Sequence, residues 1–181
     1  MLKTKRIVAE AYLRLVLRNT ILNVSNDDII NESGVSRGTY YNNFGSQQEI
    51  LDYVQNTMVA EFVDPIRDRL AALDDDVDFD QAVSEIAQVS VPLIYDHQDR
   101  IQFLNQCSLN NIWEKPLLQA FKQFISKKLP SDKLNSKNLN IMMNYIIIII
   151  GAWITEPEPA DPDTFIAEFN QLYKQTITGL I

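Results

Sequence analysis

Twenty residues near the amino terminus, Ser25 to Phe44, leave the rest of the chain little freedom. They read as two short helices joined by a tight turn. Ser25 can accept a hydrogen bond from the first free N–H groups of a helix, and Asp27 and Asp28 suit that helix's positive end. Ile29 and Ile30 give it an apolar side. Gly34 stands just past its end, where a left-handed backbone costs glycine nothing. Val35 plugs the turn, and Ser36 caps a second helix running to Asn43 or Phe44. A helix, a glycine-bearing turn of three or four residues and a second short helix is the helix-turn-helix plan. The second helix of that plan lies in the DNA major groove.

The second helix is polar for its size. Thr39, Tyr40, Tyr41, Asn42 and Asn43 all form hydrogen bonds, and Arg37 stands at its start. With no long apolar stripe to bury, it should face outward, and tyrosine hydroxyls serve well as phosphate donors. The plainer alternative is a solvated connector between core helices.

The run Ser33-Gly34-Val35-Ser36-Arg37-Gly38-Thr39-Tyr40-Tyr41-Asn42-Asn43-Phe44-Gly45-Ser46 resembles the signature of the TetR family of transcriptional regulators, roughly A-G-V-S-x-G-T-x-Y-x-x-F-x-S-K. The resemblance covers residues 5–55. Beyond it the chain is similar in length and helical character, with some likeness to members whose last but one helix ends in a Trp. Three positions depart from the pattern. Asn26 stands where an apolar residue is usual, Ile30 replaces a frequent small residue, and Gln47 replaces the Lys that helps hold a DNA phosphate.

The resemblance implies an all-α fold of about nine helices. Residues 1–46 would be a three-helix DNA-binding head, and residues 47–181 a helical regulatory and dimerisation body. It implies a one-component regulator, a repressor by expectation. Such a protein binds a palindromic DNA operator as a homodimer and is controlled by a small-molecule effector of unknown identity. Arg37, Thr39, Tyr40 and Asn42 are then candidates for base-edge contacts. Tyr41, Ser36, Ser46 and Gln47 are candidates for phosphate contacts. Ser25 and Asn26 could touch the DNA backbone from the start of the first helix of the motif, where N–H groups face outward.

A net charge of −8 argues, taken whole, against a generic nucleic-acid binder. Its distribution changes that reading. Residues 1–56 carry six basic and six acidic groups, and the remainder carries ten basic and eighteen acidic ones. A neutral head with a basic leading edge (Lys3, Lys5, Arg6) can approach DNA while the acidic body is held away. Non-specific affinity should be modest, because it arises mainly from phosphate neutralisation. One cysteine, Cys107, excludes an internal disulfide, and with the single histidine, His97, no metal constellation is visible. No cofactor motif appears. The apolar stretch Ile141–Ile154 is shorter than the roughly 20 residues of a membrane span, so a soluble, cytoplasmic protein with no membrane partner is expected.

Along the chain, residues 3–18 form a first helix, and Ile21 and Val24 pin the loop that follows. After the helix-turn-helix, Ser46-Gln47-Gln48-Glu49 is a capping box. A helix from Gln47 continues through Phe62 to a kink or restart at Pro65 and on to Leu73. Asp74–Asp78 is an acidic run without the register of a calcium loop. Further helices are expected over Phe79–Tyr95, His97–Leu109, Lys115–Leu129 with Pro116 in the first turn, Lys137–Trp153, and Pro162 to Leu180.

An effector pocket is expected among Tyr95, Phe103, Cys107, Trp113, Phe121, Met143 and Tyr145, with His97, Gln106, Asn110 and Asn144 as polar groups. The alternative is that these side chains fill a solid core. The last two helices carry more apolar surface than one small body covers, so a dimer interface is expected through Ile146, Ile150, Trp153, Phe165, Phe169, Leu172, Tyr173 and Thr176. No matched catalytic set appears, which disfavours an all-α enzyme. His97 with Asp96 and Asp99 reads as a helix-start histidine rather than a proton-transfer pair. A regulator-like protein acting through another protein, or as an activator, is the other alternative.

Overall fold

The computed structural model describes residues 2–19, 23–73, 79–128 and 136–177. These residues form ten α-helices and one π turn: α1 Leu2–Asn19, α2 Asn26–Ser33, α3 Arg37–Asn43, α4 Gln47–Met58, the π turn Val59–Val63, α5 Asp64–Ala71, α6 Phe79–Tyr95, α7 Gln98–Gln106, α8 Asn111–Lys128, α9 Ser136–Ile154 and α10 Pro162–Ile177. Counted as rods they are nine, because α4, the π turn and α5 run on from one another. Ile21, Asp74–Asp78 and the expected loop from Pro130 lie outside the described residues, as does Leu180.

Local chemistry places most of these ends. Gly34 takes φ +68° after α2, and its N–H reaches the Ile30 carbonyl. The capping box forms with a small shift: Ser46 Oγ accepts from the Glu49 N–H at 3.3 Å, while Glu49 reaches back to the N–H of Gly45. Asp161 caps α10 by accepting from Thr164 N–H and hydroxyl at 3.1 and 2.7 Å, bonds that hold its carboxyl below the usual range. Pro65 cannot donate to the carbonyl of Glu61 and its ring crowds that carbonyl. The rod widens there into the π turn and restarts as α5.

Two boundaries differ from expectation. α7 stops at Gln106 because Ser108 adopts a left-handed φ of 58°, and the Leu109 N–H returns to the Leu104 carbonyl at 2.8 Å. This is the helix-ending geometry usually given to glycine, fixed here by burial of Leu104 and Leu109. α8 then starts at Asn111, a turn earlier than expected, so Pro116 lies inside the helix rather than in its first turn.

The core is one contiguous cluster running from Val8 to Tyr173. α1 packs on α2, α3 and α4, and α4 packs on α8. Arg14 and Arg18 clasp Glu32 across the α1–α2 contact at 3.1 and 3.2 Å and hold its carboxyl below the usual range. α9 is long and apolar enough to cross a membrane by length and composition. In this fold it packs against α6, α7, α8 and α10. At its end Trp153 stacks on Phe165 with ring centroids 4.0 Å apart, and its indole N–H reaches the Ala160 carbonyl at 2.9 Å. Tyr95 stacks on the other side of this ladder, and Phe169 and Tyr173 extend it along α10.

Glu114, on α8, lies over the Gly151 backbone of α9, and burial pushes its carboxyl up. A carboxyl whose folded pKa is raised weakens the fold as pH rises through the interval between its unfolded and folded values. Glu114→Gln is therefore expected to raise the melting temperature at pH 7. The gain should vanish below the unfolded carboxyl range, as differential scanning calorimetry at pH 7 and pH 3 would record.

Candidate nucleic-acid interface

Three serines set the geometry of the amino-terminal unit. Ser25 accepts from the Asp28 N–H at 3.0 Å and donates to its carboxylate at 2.6 Å. Ser36 accepts from the Thr39 N–H at 3.1 Å, and its hydroxyl pairs with that of Thr39 at 2.8 Å. Such caps contribute about 1 kcal/mol each. They also fix where α2 and α3 begin, and so which side chains face out. Ser25, Ser36 and Ser46 are all exposed.

α3 has seven residues and one buried side chain, Tyr40. Tyr40 was expected to reach a base edge. Its ring is instead fully buried, packed edge-on against Tyr41, and its hydroxyl donates to Asn26 Oδ1 at 3.0 Å. Burial raises its pKa, so it stays a neutral donor. Tyr40 therefore braces α3 on α2, and Asn26 accepts that bond. Phe44, four residues on and on the same side of the helix, is also buried. That spacing of two aromatics was the sequence signal for Tyr40's inward orientation.

Arg37, Tyr41 and Asn42 are exposed, and Thr39 is half-buried. Arg37 is held at 2.9 Å by Asp27 from α2, an open ion pair worth little in water. Asn43 turns inward and donates to the Thr39 carbonyl at 2.8 Å. Gln47 donates to the Val24 carbonyl, so this side chain ties α4 to the chain entering α2. Lys5 was not among the expected contacts. Its ammonium sits 5.3 Å from the Phe44 ring centroid, bringing a cation from α1 to the end of α3. The basic start of α1 was legible in the sequence; its reach to α3 was not.

No family model matches the chain, and no curated protein matches it. Among solved structures, the crystal structure of a TetR transcriptional regulator from Streptococcus agalactiae 2603V superposes with a TM-score of 0.55 at 15% identity, over 94% of this chain and 93% of that one. The chain has the TetR-regulator fold.

The expected effector residues are not brought together around a described groove. Trp113 and Met143 are fully buried, and Trp113 packs against Phe62. Tyr95 belongs to the aromatic ladder, and His97 Nδ1 donates to the Leu93 carbonyl at 2.9 Å. Cys107 is buried against α1, its thiol directed at the Leu13 carbonyl at 3.6 Å, and burial pushes its pKa up. Tyr145 is half-buried on α9. Phe103, of the expected group, lines a groove that lies between α1, α4 and α7.

The expected dimer residues separate into two sets. Ile146, Ile150, Trp153, Phe165, Phe169 and Tyr173 are at most 5% exposed within a single chain, so they are its own core. Leu172 is 46% exposed, and the side chain of Thr176 lies outside the described residues. The outward apolar residues of α9 are instead Ile141 and Ile148, 47% and 67% exposed, on the face that also carries Tyr145.

Proposed function

We propose that this protein is a one-component transcriptional regulator rather than an enzyme, a cytoplasmic repressor that binds a near-palindromic operator as a homodimer and releases it when a small molecule binds. Residues 1–46 are its DNA-reading head and residues 47–181 its regulatory and dimerisation body. The observation that carries this reading is α3. It is a short helix fastened from below by Tyr40 and Phe44, with Arg37, Tyr41 and Asn42 presented outward. A helix so small and so polar gains little by its own burial, which supports reading it as the second helix of a helix-turn-helix.

Arg37, Thr39 and Asn42 are the base-reading residues. Tyr41, Ser25, Ser36, Ser46 and Lys5 hold phosphates, which position without specifying. Two copies joined through the outer face of α9 and Leu172 of α10 carry two such helices. Selection from random duplexes at moderate salt is expected to recover an inverted repeat with half-sites about 34–36 Å apart or a multiple of that. Recovery of no common sequence would sink the assignment.

Gly38 supplies a sharper test. It is exposed inside α3, and nothing lies within 4 Å of where a side chain would begin. Glycine in the middle of a helix costs roughly 0.5–1 kcal/mol relative to alanine, and less in the first turn, where Gly38 stands. With no protein group crowding the site, the stable residue would be alanine, unless DNA approaches the backbone there. Gly38→Ala is expected to melt higher than the parent and to bind operator at least ten times more weakly. If it bound operator as tightly as the parent, Gly38 would have no role in close approach.

A further inference from the structure

The groove between α1, α4 and α7 joins the amino-terminal unit to the rest of the molecule. It encloses about 420 Å³, within the range of small-molecule sites. Ala9 and Leu13 of α1, Val54 of α4 and Phe103 of α7 give it an apolar floor, the first three buried. Its rim is charged. Arg100 of α7 meets Glu61 of the π turn at 2.7 Å, and Arg6 meets Glu10 along α1 at 3.6 Å. A second groove of about 580 Å³ shares Arg6 and Glu61 and extends to Lys3. In a chain of net charge −8, the two grooves together have four cations, Lys3, Arg6, Arg14 and Arg100, against two carboxylates, Glu10 and Glu61, with Arg14 also held by Glu32 from α2.

We propose that this groove, rather than the packed interior of the body, is the effector site, and that it takes a small apolar carboxylate. Calling the ligand an effector rests on the regulator reading above; the site itself rests on the groove. The chemistry comes from Arg100. Its guanidinium already holds a carboxylate, that of Glu61, at the edge of an apolar floor. A ligand carboxylate can replace Glu61 on the same donors without leaving the guanidinium unpaired, while its hydrocarbon covers Val54 and Phe103. An uncharged ligand has no group to offer Arg100 in exchange and is left with the apolar floor alone.

The exchange has a mechanical consequence. Glu61 lies in the π turn that continues α4, and α4 packs on α1. While Glu61 holds Arg100, that turn is tied to α7. Once a ligand takes Arg100, the tie is released and the ligand wedges α1 from α7. A π turn within a helical rod is a place where such a rod can repack. Two heads spaced for the operator would then be favoured less than two heads spaced otherwise, and by linkage operator DNA must weaken the ligand by the same factor.

The test uses full-length protein, with 2-naphthoate as probe and 2-naphthamide as its uncharged match, read by calorimetric titration. Naphthoate is expected to bind at least ten times tighter than the amide. Arg100→Gln should erase that preference, and Glu61→Gln, which removes the competing carboxylate, should tighten naphthoate several-fold. Equal binding of the two probes, no binding of either at millimolar concentration, or a preference that survives Arg100→Gln would overturn the site. Fluorescence anisotropy with selected operator DNA tests the effector role separately. Naphthoate that binds as expected and leaves operator affinity unchanged overturns the regulatory half. A protein that binds no DNA at all defeats the regulator reading, while the titration still decides the groove.

Discussion

Ile148→Glu is expected to give a folded monomer that has lost most of its operator affinity. Ile148 is 67% exposed in the single chain, on a face of α9 where Ile141, Tyr145, Ile148 and Ala152 recur at intervals of four, three and four residues. Leu172, 46% exposed, adds to the apolar surface of the last two helices. A two-fold contact through this face buries each side chain twice over, once per copy. A glutamate there would bury two unpaired charges, a cost of several kcal/mol that an interface of moderate size does not survive. The folded chain itself should hardly notice, because exposed substitutions stay within about 0.5 kcal/mol. Losing the second head removes the gain from effective concentration, a factor of about 10²–10⁴ in operator affinity. Sedimentation of the variant, its melting curve and a DNA titration together decide the matter. Phe169→Asp is the contrasting substitution. Phe169 is 1% exposed and lies between Phe165 and Tyr173 in the ladder, so a charge there should unfold the chain rather than split a dimer. An Ile148→Glu protein that stays dimeric would send the interface elsewhere.

That contrast also marks where sequence reading stopped. Helix ends with their own caps were legible, because Ser25, Ser36, Ser46, Gly34 and Asp161 act on backbone groups within a few residues of themselves. The face of α9 was not. Its isoleucines run in sequence from Ile146 to Ile150, and a helix apolar all round has no polar edge to say which side meets its own chain. Ile146 and Ile150 went inward and Ile148 outward because α6, α8 and α10 arrived on one side. Tyr40 misled for a related reason. Its hydroxyl is visible in the sequence, but the direction of its ring is set by packing against α2. The start of α8 was missed because proline is so strong a first-turn signal that Pro116 outweighed Asn110, whose carbonyl accepts the first helical bonds from Trp113 and Glu114. The groove was least legible of all. Its lining runs from Arg6 to Phe103, and no local pattern links residues so far apart.

Exchanging Thr39 and Asn42 together for alanine is expected to lower sequence preference sharply while leaving general DNA affinity nearly intact, and Tyr41→Phe should do the reverse. Asn42 is exposed on the outer face of α3, and an asparagine amide can read the N6 and N7 positions of adenine with two bonds. Thr39 offers a different contact. Its hydroxyl is engaged by Ser36 at 2.8 Å, which leaves its methyl group to meet a thymine methyl. A bidentate contact such as that of Asn42 discriminates against a wrong base pair by about 1–3 kcal/mol, and the methyl contact adds to it. Losing both should lower the ratio of operator to random-duplex affinity by at least tenfold, with the salt dependence unchanged, because no phosphate partner has been removed. Tyr41 is 49% exposed, and its ring is steadied edge-on by Tyr40 with centroids 5.1 Å apart. Its hydroxyl is then a well-placed phosphate donor. Removing that hydroxyl alone should weaken operator and random duplex by the same factor, a uniform loss that leaves the ratio where it was. Competition titrations of both variants against operator and scrambled duplex at two salt concentrations separate the two behaviours. If the double variant kept its operator preference, α3 would not be the reading helix, whatever the fold around it.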